Sequence, residues 1–519
     1  MKKHNWRLML RRVLNLVFSR LVVTAVLLVL QVVWLFALFY RLADYARWFN
    51  AAGLTLSIIM CLALIRQDST VPEFKISWMI LFAVMPVQGG LLYLLWGNKR
   101  PALGLRRRQE RAEQAMADTR REDPAAAARL RAADPRAALT ARYLHDYAPA
   151  PLYGGTAVRY YPDGQTMLAD MLPALQSAEH SIFVESFIIG MGEMWGQIHE
   201  ILRRKAAAGL DVRVIYDDAG CLSLLPHNYA ELLRAEGIRA FSFNRCVPVL
   251  NLVMNNRDHR KIMVIDGKIG FTGGVNLADE YINHVEKYGR WKDAAVMLEG
   301  EGVCTMTALF LQMWSIQREP EFAQFLTRPL PETQTKGFVT PYGDCPLDGE
   351  RVGEMVYIDL LNRARHSVHI ITPYLILDGE LETALRFAAE RGVDVHLILP
   401  GKPDKVFVYA LAKTHYLPLL SSGVKISEWT PGFTHAKVMI MDGQEAVVGT
   451  INLDYRSLYH HFENAVWMRG VDCLPRIEAD FQDTLAQCRT VEPTRQSIWQ
   501  GKKLLHLVGI MLKFIAPLI

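Results

Sequence analysis

The chain has 519 residues, which is long enough for more than one domain and for a sizeable buried core. Its formal net charge of +5 is too small to indicate a nucleic-acid partner by itself. The seven cysteines are odd in number and lack a Cys-x-x-Cys spacing, which argues against a disulfide framework and against a zinc site.

Residues 1–100 carry three apolar stretches, and we predict that they form a membrane anchor with two to three transmembrane segments. Residues 21–40 contain no charge and would be about 30 Å long as a helix, enough to cross a bilayer. Residues 48–65 are more polar, and residues 76–98 are interrupted by Pro86. A cleaved signal peptide is the alternative, but the first stretch is too long for its apolar region and no small-residue cleavage site follows.

Basic residues lie on both sides of this anchor, before residue 21 and after residue 98. Such clusters suit anionic lipid head groups and favour the cytoplasmic side of a membrane. Three crossings cannot place both clusters on that side. Either one segment is re-entrant or the part of the chain that follows faces outward, and the sequence leaves this choice open.

Two further segments flank the central part of the chain. Residues 101–148 are rich in alanine, arginine and glutamate with Pro124 and Pro135 as breaks, which predicts a solvated, charged helical linker. Residues 491–519 place three lysines among leucine, isoleucine, valine and phenylalanine, which predicts a membrane-interfacial amphipathic helix. The alternative for this last segment is a helix docked on the protein core.

One set of residues occurs twice with a constant separation of 176 positions. The first copy is His259, Lys261, Asp266, Gly273 and Asn276, and the second is His435, Lys437, Asp442, Gly449 and Asn452. A single His-x-Lys would be consistent with an ordinary hairpin that carries a histidine, but five positions in one register indicate an internal repeat. In each copy an apolar strand ends at Asp-Gly, which predicts a β-hairpin.

The repeat extends over two whole lobes, which we place at residues 149–332 and 333–490. Residues 366–370 repeat residues 180–184, each as a short apolar strand after a helix. The alternation of strands and helices predicts an α/β fold with βα units and a mostly parallel central sheet in each lobe.

The repeated residues suit the chemistry of a phosphodiester. Imidazole is a nucleophile when neutral and a general acid when protonated, so His259 and His435 at a two-fold interface would divide these roles. Lys261 and Lys437 would neutralise the non-bridging phosphate oxygens. The residues expected to bind substrate beside them are Asn276, Asn452, Gly274 and Thr450.

Carboxylates are also needed, to fix the histidine tautomers and to stabilise imidazolium. Asp293 and Glu463 are the candidates, because each precedes an apolar strand of its lobe. Asp266 and Asp442 are further catalytic candidates. They would equally serve as structural turn residues, and the sequence leaves both interpretations open.

The doubled motif resembles the signature of the phospholipase D superfamily, His-x-Lys with Asp after four more residues and then Gly-x-x-Asn. Val71-Pro72, Pro86 and the run from Asn255 to His259 further resemble the bacterial cardiolipin synthases. That resemblance implies a membrane-anchored bilobal fold, with two pseudo-two-fold-related α/β/α sandwich lobes that share one active site. It also implies no cofactor and no metal. The stretch at residues 21–40 departs from the family, in which many members have only two apolar segments.

The resemblance implies phosphatidyl transfer between two phosphatidylglycerol molecules to give cardiolipin and glycerol, through a phosphohistidine on His259. Phosphatidylglycerol and cardiolipin would be the partners of the protein, which would be a multi-pass protein of the bacterial cytoplasmic membrane. No nucleic acid would be bound. The alternatives are a phospholipase D, a phosphatidylserine synthase, a membrane-tethered nuclease and an inactive scaffold. Two intact motifs argue against the scaffold, and the absence of an evident aromatic-basic surface argues against the nuclease. The sequence determines neither the acceptor alcohol nor the oligomeric state.

Overall fold

The computed structural model describes most of the chain and divides it into two compact units. The described residues are 26, 29–34, 46–67, 72–97, 103–117, 123–246, 256–317, 323–326 and 335–518. The first unit comprises Met1–Gly104, Arg245–Asn255 and Pro517–Ile519, and the second comprises Leu105–Asn244 and Asn256–Ala516.

The helices of the first unit whose bounds the structure gives are followed by a π-helical turn. They are α1 (Ala46–Ile65), α2 (Pro72–Val84) and α3 (Pro86–Leu92), and the turn is Tyr93–Gly97. Trp78 and Phe82 of α2 are buried with Leu64 of α1. The ring of Tyr93 packs edge-on against both aromatic rings, with centroid distances of 5.2 Å to Trp78 and 5.5 Å to Phe82. The unit therefore has a small apolar core of its own.

The predicted transmembrane segments are not confirmed. No helix among the described residues combines the length and the apolar character that crossing a membrane requires. The stretch at residues 76–98 is divided, because Pro86 lacks an N–H and begins a separate helix. Most of residues 21–40, the first predicted segment, lies outside the described residues.

The described residues of the segment predicted as a linker form three helices: α4 (Leu103–Ala117), α5 (Pro124–Ala133) and α6 (Pro135–Tyr147). Both prolines stand in the first turn of a helix, where no N–H is needed, and follow the capping residues Asp123 and Asp134. The inner faces of α5 and α6 are buried, and Thr140 of α6 donates a hydrogen bond of 2.7 Å to Asp359 in the second lobe. These two helices are therefore packed, in contrast to the solvated spacer that composition predicted.

The first lobe is a seven-stranded sheet with helices on it, and its strand order is β1-β9-β7-β6-β2-β3-β4. The strands are β1 (Thr156–Tyr161), β2 (Ser181–Ser186), β3 (Asp211–Asp217), β4 (Arg239–Phe243), β5 (Arg257–Asp258), β6 (Lys261–Ile265), β7 (Ile269–Gly273), β8 (Arg290–Lys292) and β9 (Ala295–Gly300). The helices are α7 (Gly164–Gln176), α8 (Glu193–Ala207), α9 (Asp218–Cys221), α10 (Tyr229–Ala235), the 3₁₀ turn Asp279–Ile282, α11 (Val303–Ser315) and α12 (Ala323–Leu326).

The second lobe repeats this topology in the order β10-β17-β16-β15-β11-β12-β13-β18. The strands are β10 (Phe338–Asp344), β11 (Ser367–Ile371), β12 (Asp394–Pro400), β13 (Lys425–Trp429), β14 (Gly432–Thr434), β15 (Val438–Met441), β16 (Glu445–Gly449), β17 (His461–Arg469) and β18 (Cys488–Thr490). The helices are α13 (Val352–Arg363), α14 (Gly379–Glu390), α15 (Val406–Lys413), α16 (Tyr416–Ser421), α17 (Tyr455–Tyr459), α18 (Leu474–Leu485), α19 (Arg495–Trp499), α20 (Lys503–Ile515) and the 3₁₀ turn Ala516–Leu518.

The prediction of mostly parallel sheets was wrong. In the first lobe only β2–β3 and β3–β4 pair in parallel, whereas the other neighbours pair antiparallel. The reason is local, because the turn that begins with Asp-Gly between β6 and β7 reverses the chain within three residues and forces antiparallel pairing. Each lobe therefore has a mixed sheet with two parallel pairings. They form one edge of the first sheet, whereas in the second the antiparallel strand β18 lies outside them.

Two short strands cross between the lobes in a reciprocal manner. Strand β5 of the first lobe pairs in parallel with β17 of the second, so that Arg257 faces His461. Strand β14 of the second lobe pairs in parallel with β8 of the first, so that Phe433 faces Trp291. Each of these crossing strands lies just before a histidine of the repeated motif, and the fold thereby brings the two motifs to one interface.

The two motif aspartates stabilise turns. The carboxylate of Asp266 accepts backbone N–H bonds of 2.7–2.8 Å from residues 179–181, and that of Asp442 accepts bonds of 2.7–2.9 Å from residues 365–367. Both have left-handed backbone, with φ of 54° and 52°, which aspartate tolerates better than most residues. Asp266 thus links the start of β2 to the hairpin of β6 and β7, and Asp442 links the start of β11 to the hairpin of β15 and β16.

We predict that Asp266→Ala lowers the free energy of unfolding by about 2–4 kcal/mol, because three amides lose their acceptor and alanine disfavours a positive φ. Thermal unfolding of the purified full chain measures the effect. Asp266→Asn is the matched control, since it retains one acceptor oxygen and tolerates the same backbone, and its loss should be smaller. Unchanged unfolding with abolished turnover would instead assign Asp266 to catalysis.

Candidate active site

Both histidines are fixed at the backbone by the opposite lobe. His259 lies between β5 and β6, and its N–H donates to the carbonyl of Phe462 at 2.9 Å. His435 follows β14, and its N–H donates to the carbonyl of Lys292 at 2.6 Å. The two bonds are equivalent under the pseudo-two-fold relation. Neither histidine is positioned by its own lobe alone.

The rings are held across the same interface. Nδ1 of His259 lies 2.9 Å from both carboxylate oxygens of Glu463, and Nδ1 of His435 lies 2.8 Å from Oδ2 of Asp293. A proton on Nδ1 donates to the carboxylate and leaves Nε2 as the reactive nitrogen of each ring. The sequence identified the two carboxylates but not this exchange, in which each serves the histidine of the other lobe.

Burial sets the charge of these pairs. It lowers the pKa of His435 to about 4 and the pKa of His259 well below its ordinary value, in both cases against the opposing effect of the carboxylate. Burial alone would raise the pKa of Glu463 and of Asp293, but the paired histidine, together with His461 at Glu463 and Lys437 at Asp293, holds the pKa of both below the usual range. Both rings are therefore neutral near pH 7, and both carboxylates are charged.

The two lysines lie at the same place in the pseudo-symmetric arrangement. Nζ of Lys261 donates to the carbonyl of His259 at 2.7 Å, and Nζ of Lys437 donates to that of His435 at 2.5 Å. Burial lowers their pKa values to about 8 and about 7. Two ammonium groups are thus held beside the histidines, where they can neutralise the charge of an anionic phosphate.

The four residues expected to bind substrate differ in their surroundings. Asn276 is occupied, since it accepts from the N–H of Ile188 at 3.0 Å and donates to the hydroxyl of Tyr281 at 2.7 Å. Its counterpart Asn452 is buried, and its Oδ1 has no partner in the part of the chain that the structure describes. Asn452 is therefore the asparagine that remains available to a ligand.

Gly274 and Thr450 occupy equivalent positions with different roles. A Cβ on Gly274 would lie 2.0 Å from Oδ1 of Asp293, so only glycine leaves room for that carboxylate. Thr450 instead donates its hydroxyl to Oε2 of Glu463. Both residues therefore shape the surroundings of the carboxylate that holds a histidine.

Asp266 and Asp442 are not brought to the histidines. Strand β6 separates Asp266 from Lys261 by about 16 Å of extended chain, and both carboxylates are engaged with backbone amides. These contacts favour the structural interpretation of both aspartates over the catalytic one, which the sequence left equally open.

Sequence reasoning missed a third histidine. The ring of His461 lies 5.3 Å from that of His259, and its Nδ1 lies 3.6 Å from Oε1 of Glu463. Neither of its ring nitrogens forms a hydrogen bond with any described residue. The equivalent position in the first lobe is Trp291, whose Nε1 donates to Asp293 at 3.3 Å. Both residues stand two positions before the carboxylate, so aligning those two segments would have revealed the pair.

The walls around the two histidines are chemically different. His435 is surrounded by the rings of Trp291, Tyr281 and Phe433, at centroid distances of 5.3, 5.5 and 6.0 Å. The rings beside His259 are those of Phe187 and His461, at centroid distances of 4.9 and 5.3 Å. The pseudo-symmetric framework therefore places three aromatic rings around His435, and one phenylalanine with a second histidine beside His259.

One group near the site has the composition of a metal site. Ligand atoms of His259, His461 and Glu463 lie within 4.8 Å of one another. Both oxygens of Glu463 are already engaged, one with His259 and one shared with Thr450. The arrangement suits a hydrogen-bonded histidine better than a coordinated ion, since a ligating His259 would lose the bond that orients it.

A separate cavity of about 480 Å³ lies behind this site. It is lined by Arg260, Phe462 and Asp344 among others, and neither His259 nor His435 borders it. Arg260 stands between the motif residues His259 and Lys261, and successive side chains of an extended chain point to opposite faces. The side chain of Arg260 therefore lies on the face opposite to theirs, where it donates to Glu185 at 2.7 Å. This cavity is therefore not the place where the two histidines meet.

Comparisons with known proteins agree with this arrangement. A family model described as "Cardiolipin synthase, PLD-like domain" matches residues 171–314 and 357–485, and one described as "Phospholipase D-nuclease N-terminal" matches residues 55–98. The chain is 30% identical over 470 residues to a cardiolipin synthase of Alkalihalophilus pseudofirmus, covering 90% of this chain and 93% of that protein. It is 32% identical over 441 residues to a cardiolipin synthase of Geobacillus kaustophilus, covering 84% and 87%.

Among solved structures, the crystal structure of a phosphatidylserine synthase from Haemophilus influenzae is similar with a TM-score of 0.56. It is 15% identical and covers 73% of this chain and all of that chain. At this identity the likeness concerns the fold alone, and it agrees with the two related α/β lobes.

We predict that Glu463→Gln and Asp293→Asn each reduce turnover by about 10³-fold, because an amide neither fixes the productive tautomer nor stabilises imidazolium. Steady-state kinetics of the full chain measure the loss. Glu478→Gln is the matched control. Glu478 also pairs with a histidine, at 2.9 Å from Nδ1 of His369, but neither residue belongs to the motif. Full turnover in either site variant would show that the cross-lobe pairs are not used.

We also predict that kcat/KM falls at least about tenfold between pH 7 and pH 9. Lys437 and Lys261 are charged below their pKa values of about 7 and about 8, so their charge is lost as the pH rises through that window. The histidines are already neutral there, and they begin to protonate only well below pH 6.5. A flat profile from pH 6 to pH 9 would contradict the role of the lysines.

Proposed function

The chain belongs to the cardiolipin synthase family of the phospholipase D superfamily, and we propose that it transfers a phosphatidyl group from one phosphatidylglycerol to another. The products are cardiolipin and glycerol. The observation that carries the proposal is the pair of cross-lobe histidine–carboxylate contacts, in which each lobe supplies the carboxylate that orients the histidine of the other. A phosphodiester is exchanged for another phosphodiester, so the reaction requires no nucleotide.

In the first half-reaction Nε2 of His259 attacks phosphorus, and the bond from phosphorus to the glycerol oxygen breaks. His435 must take up a proton when substrate binds, and it gives that proton to the departing oxygen. The phosphate anion favours this uptake, because negative charge stabilises imidazolium. Glu463 stays ionised, accepts a hydrogen bond from the Nδ1–H of His259 and stabilises the positive charge that the phosphorylated ring acquires.

In the second half-reaction a hydroxyl of the second phosphatidylglycerol replaces the glycerol. His435 takes the hydroxyl proton, the oxygen attacks phosphorus, and the bond to Nε2 of His259 breaks. The geometry of the two histidines is closely similar, so the assignment of His259 as the nucleophile follows from superfamily precedent.

Lys261 and Lys437 stabilise the phosphate through both steps, and Asn452 offers a further contact. Charge on the non-bridging oxygens is greatest in the transition state, where preorganised cations are most effective. Asp293 and Glu463 position the histidines, while Asp266 and Asp442 maintain the turns. No step in this scheme needs a metal or another cofactor.

The setting that we propose is the bacterial cytoplasmic membrane. Residues 1–100 would serve as a multi-pass anchor, and residues 491–519 as an interfacial helix, so that both lipid substrates remain in the bilayer. A site that opens towards lipid also limits access of water, which competes with the acceptor hydroxyl for the phosphohistidine.

We predict that the full chain converts labelled phosphatidylglycerol to cardiolipin, and that His259→Ala and His435→Ala each lower the rate by at least about 10³-fold. The double variant should be hardly worse than either single variant, because both histidines serve one phosphate. Separation of labelled lipid products measures the reaction. Phosphatidic acid as the sole product would indicate a phospholipase D instead.

His369→Ala is the matched control, because His369 also binds a carboxylate but stands on strand β11 outside the motif. It should retain turnover within about twofold. Substantial turnover in either His259→Ala or His435→Ala would establish two independent sites and overturn the shared mechanism.

A further inference from the structure

Two helices of the second lobe pack together at its surface. Helix α20 lies against α15 so closely that a Cβ on Gly509 would come 2.5 Å from the carbonyl oxygen of Ala410. The segment before α20 is fixed as well, since Lys413 donates to the carbonyl of Ile498 and the ring of His506 lies 4.5 Å from that of Trp499. The C-terminal helix is thus a docked part of the lobe, and only its outer side is free.

The outer side of this pair is apolar and exposed; we call it the apolar face. Its members with their exposed fractions are Val406 57%, Phe407 67%, Leu504 75%, Leu507 56%, Ile510 53% and Met511 66%. Residues 504, 507 and 511 follow helical spacing, so they form one stripe beside the two residues that begin α15. Large apolar side chains exposed together in this way indicate a surface with a partner.

The charge around the apolar face identifies the kind of partner. Five exposed lysines border it: Lys402, Lys405, Lys502, Lys503 and Lys513. Residues 495–519 contain no aspartate or glutamate. The one carboxylate beside the start of α15, Asp404, accepts a hydrogen bond of 2.6 Å from Tyr374. A second copy of the chain would bring like charges together, whereas anionic phospholipid offers both an apolar layer and negative head groups.

The apolar face is connected to the candidate active site. Nζ of Lys405 lies over the ring of Tyr374, 5.6 Å from its centroid. That ring is 6.3 Å from Phe433, and Phe433 is 6.0 Å from His435. Three successive contacts therefore lead from the edge of the face to one of the two reactive histidines.

We propose that the apolar face formed by α15 and α20 docks on the surface of an anionic phospholipid bilayer and presents the His435 side of the site to the lipid head groups. The sequence predicted an interfacial helix at the C-terminus only. The structure adds α15, the packing of the two helices and the path through Tyr374. The inference rests on the proposed function for the identity of the substrate, but not on which histidine attacks.

The first test compares two forms of substrate with the detergent-purified full chain. Phe407→Glu and Leu507→Glu should lower turnover of phosphatidylglycerol in vesicles by about tenfold or more, because a buried carboxylate opposes insertion. Turnover of a short-chain, water-soluble phosphatidylglycerol should stay within about twofold. Leu139→Glu is the matched control, since Leu139 is an equally exposed leucine on helix α6, and it should leave both rates unchanged.

The second test does not depend on turnover. A photoreactive benzophenone side chain at position 407 or 507 of the full chain, reconstituted in phosphatidylglycerol vesicles, should label lipid on irradiation, and one at position 139 should not. Labelling of a second copy of the chain, or no lipid label at 407 and 507, would overturn the docking surface. Equal losses on both substrates would also overturn it. Lipid labelling without any phosphatidyl transfer by the unaltered protein would refute the proposed function and leave the docking surface standing.

Discussion

The arrangement depends on one reciprocal exchange across the lobe interface. Two consecutive residues of one lobe, Phe462 and Glu463, hold the backbone N–H and the ring of His259 in the other. Lys292 and Asp293 hold His435 in the same way. The crossing strands β5 and β14 set the register of both contacts. A shift of either lobe would break two anchors at once, so the interface that joins the lobes also aligns the histidines.

The same interface makes the buried charges tolerable. Two carboxylates and two lysines lie almost entirely out of solvent, where an unpaired charge would be strongly unfavourable. Each carboxylate accepts a hydrogen bond from a histidine ring, and each ammonium group donates one to the backbone carbonyl of that histidine. These contacts leave the lysines with pKa values near neutrality, because they only partly replace water. An anionic phosphate that binds beside the lysines would supply the favourable interaction with their charge that water no longer provides.

The sequence predicted the parts of the fold that are encoded locally. The repeat at a spacing of 176 and its Asp-Gly turns identified the two hairpins and the two lobes, because both depend on residues near one another in the chain. Periodicity carries no information on strand order, so the antiparallel half of each sheet was missed. The partner of each carboxylate was also hidden, since it is set by tertiary register. Asp266 was ambiguous because one residue type serves a turn and a catalytic site equally well.

The pseudo-symmetry is broken in the side chains that surround the two histidines. His435 has an aromatic wall of Trp291, Tyr281 and Phe433, and His461 stands at the position equivalent to Trp291 beside His259. The apolar face lies on the second lobe alone and reaches His435 through Tyr374 and that aromatic wall. If the face docks on a bilayer as proposed, apolar contacts continue from the lipid surface to the aromatic side of the site. The side around His259, where His461 and Phe187 lie, then remains for the hydroxyl and phosphate groups of the head group.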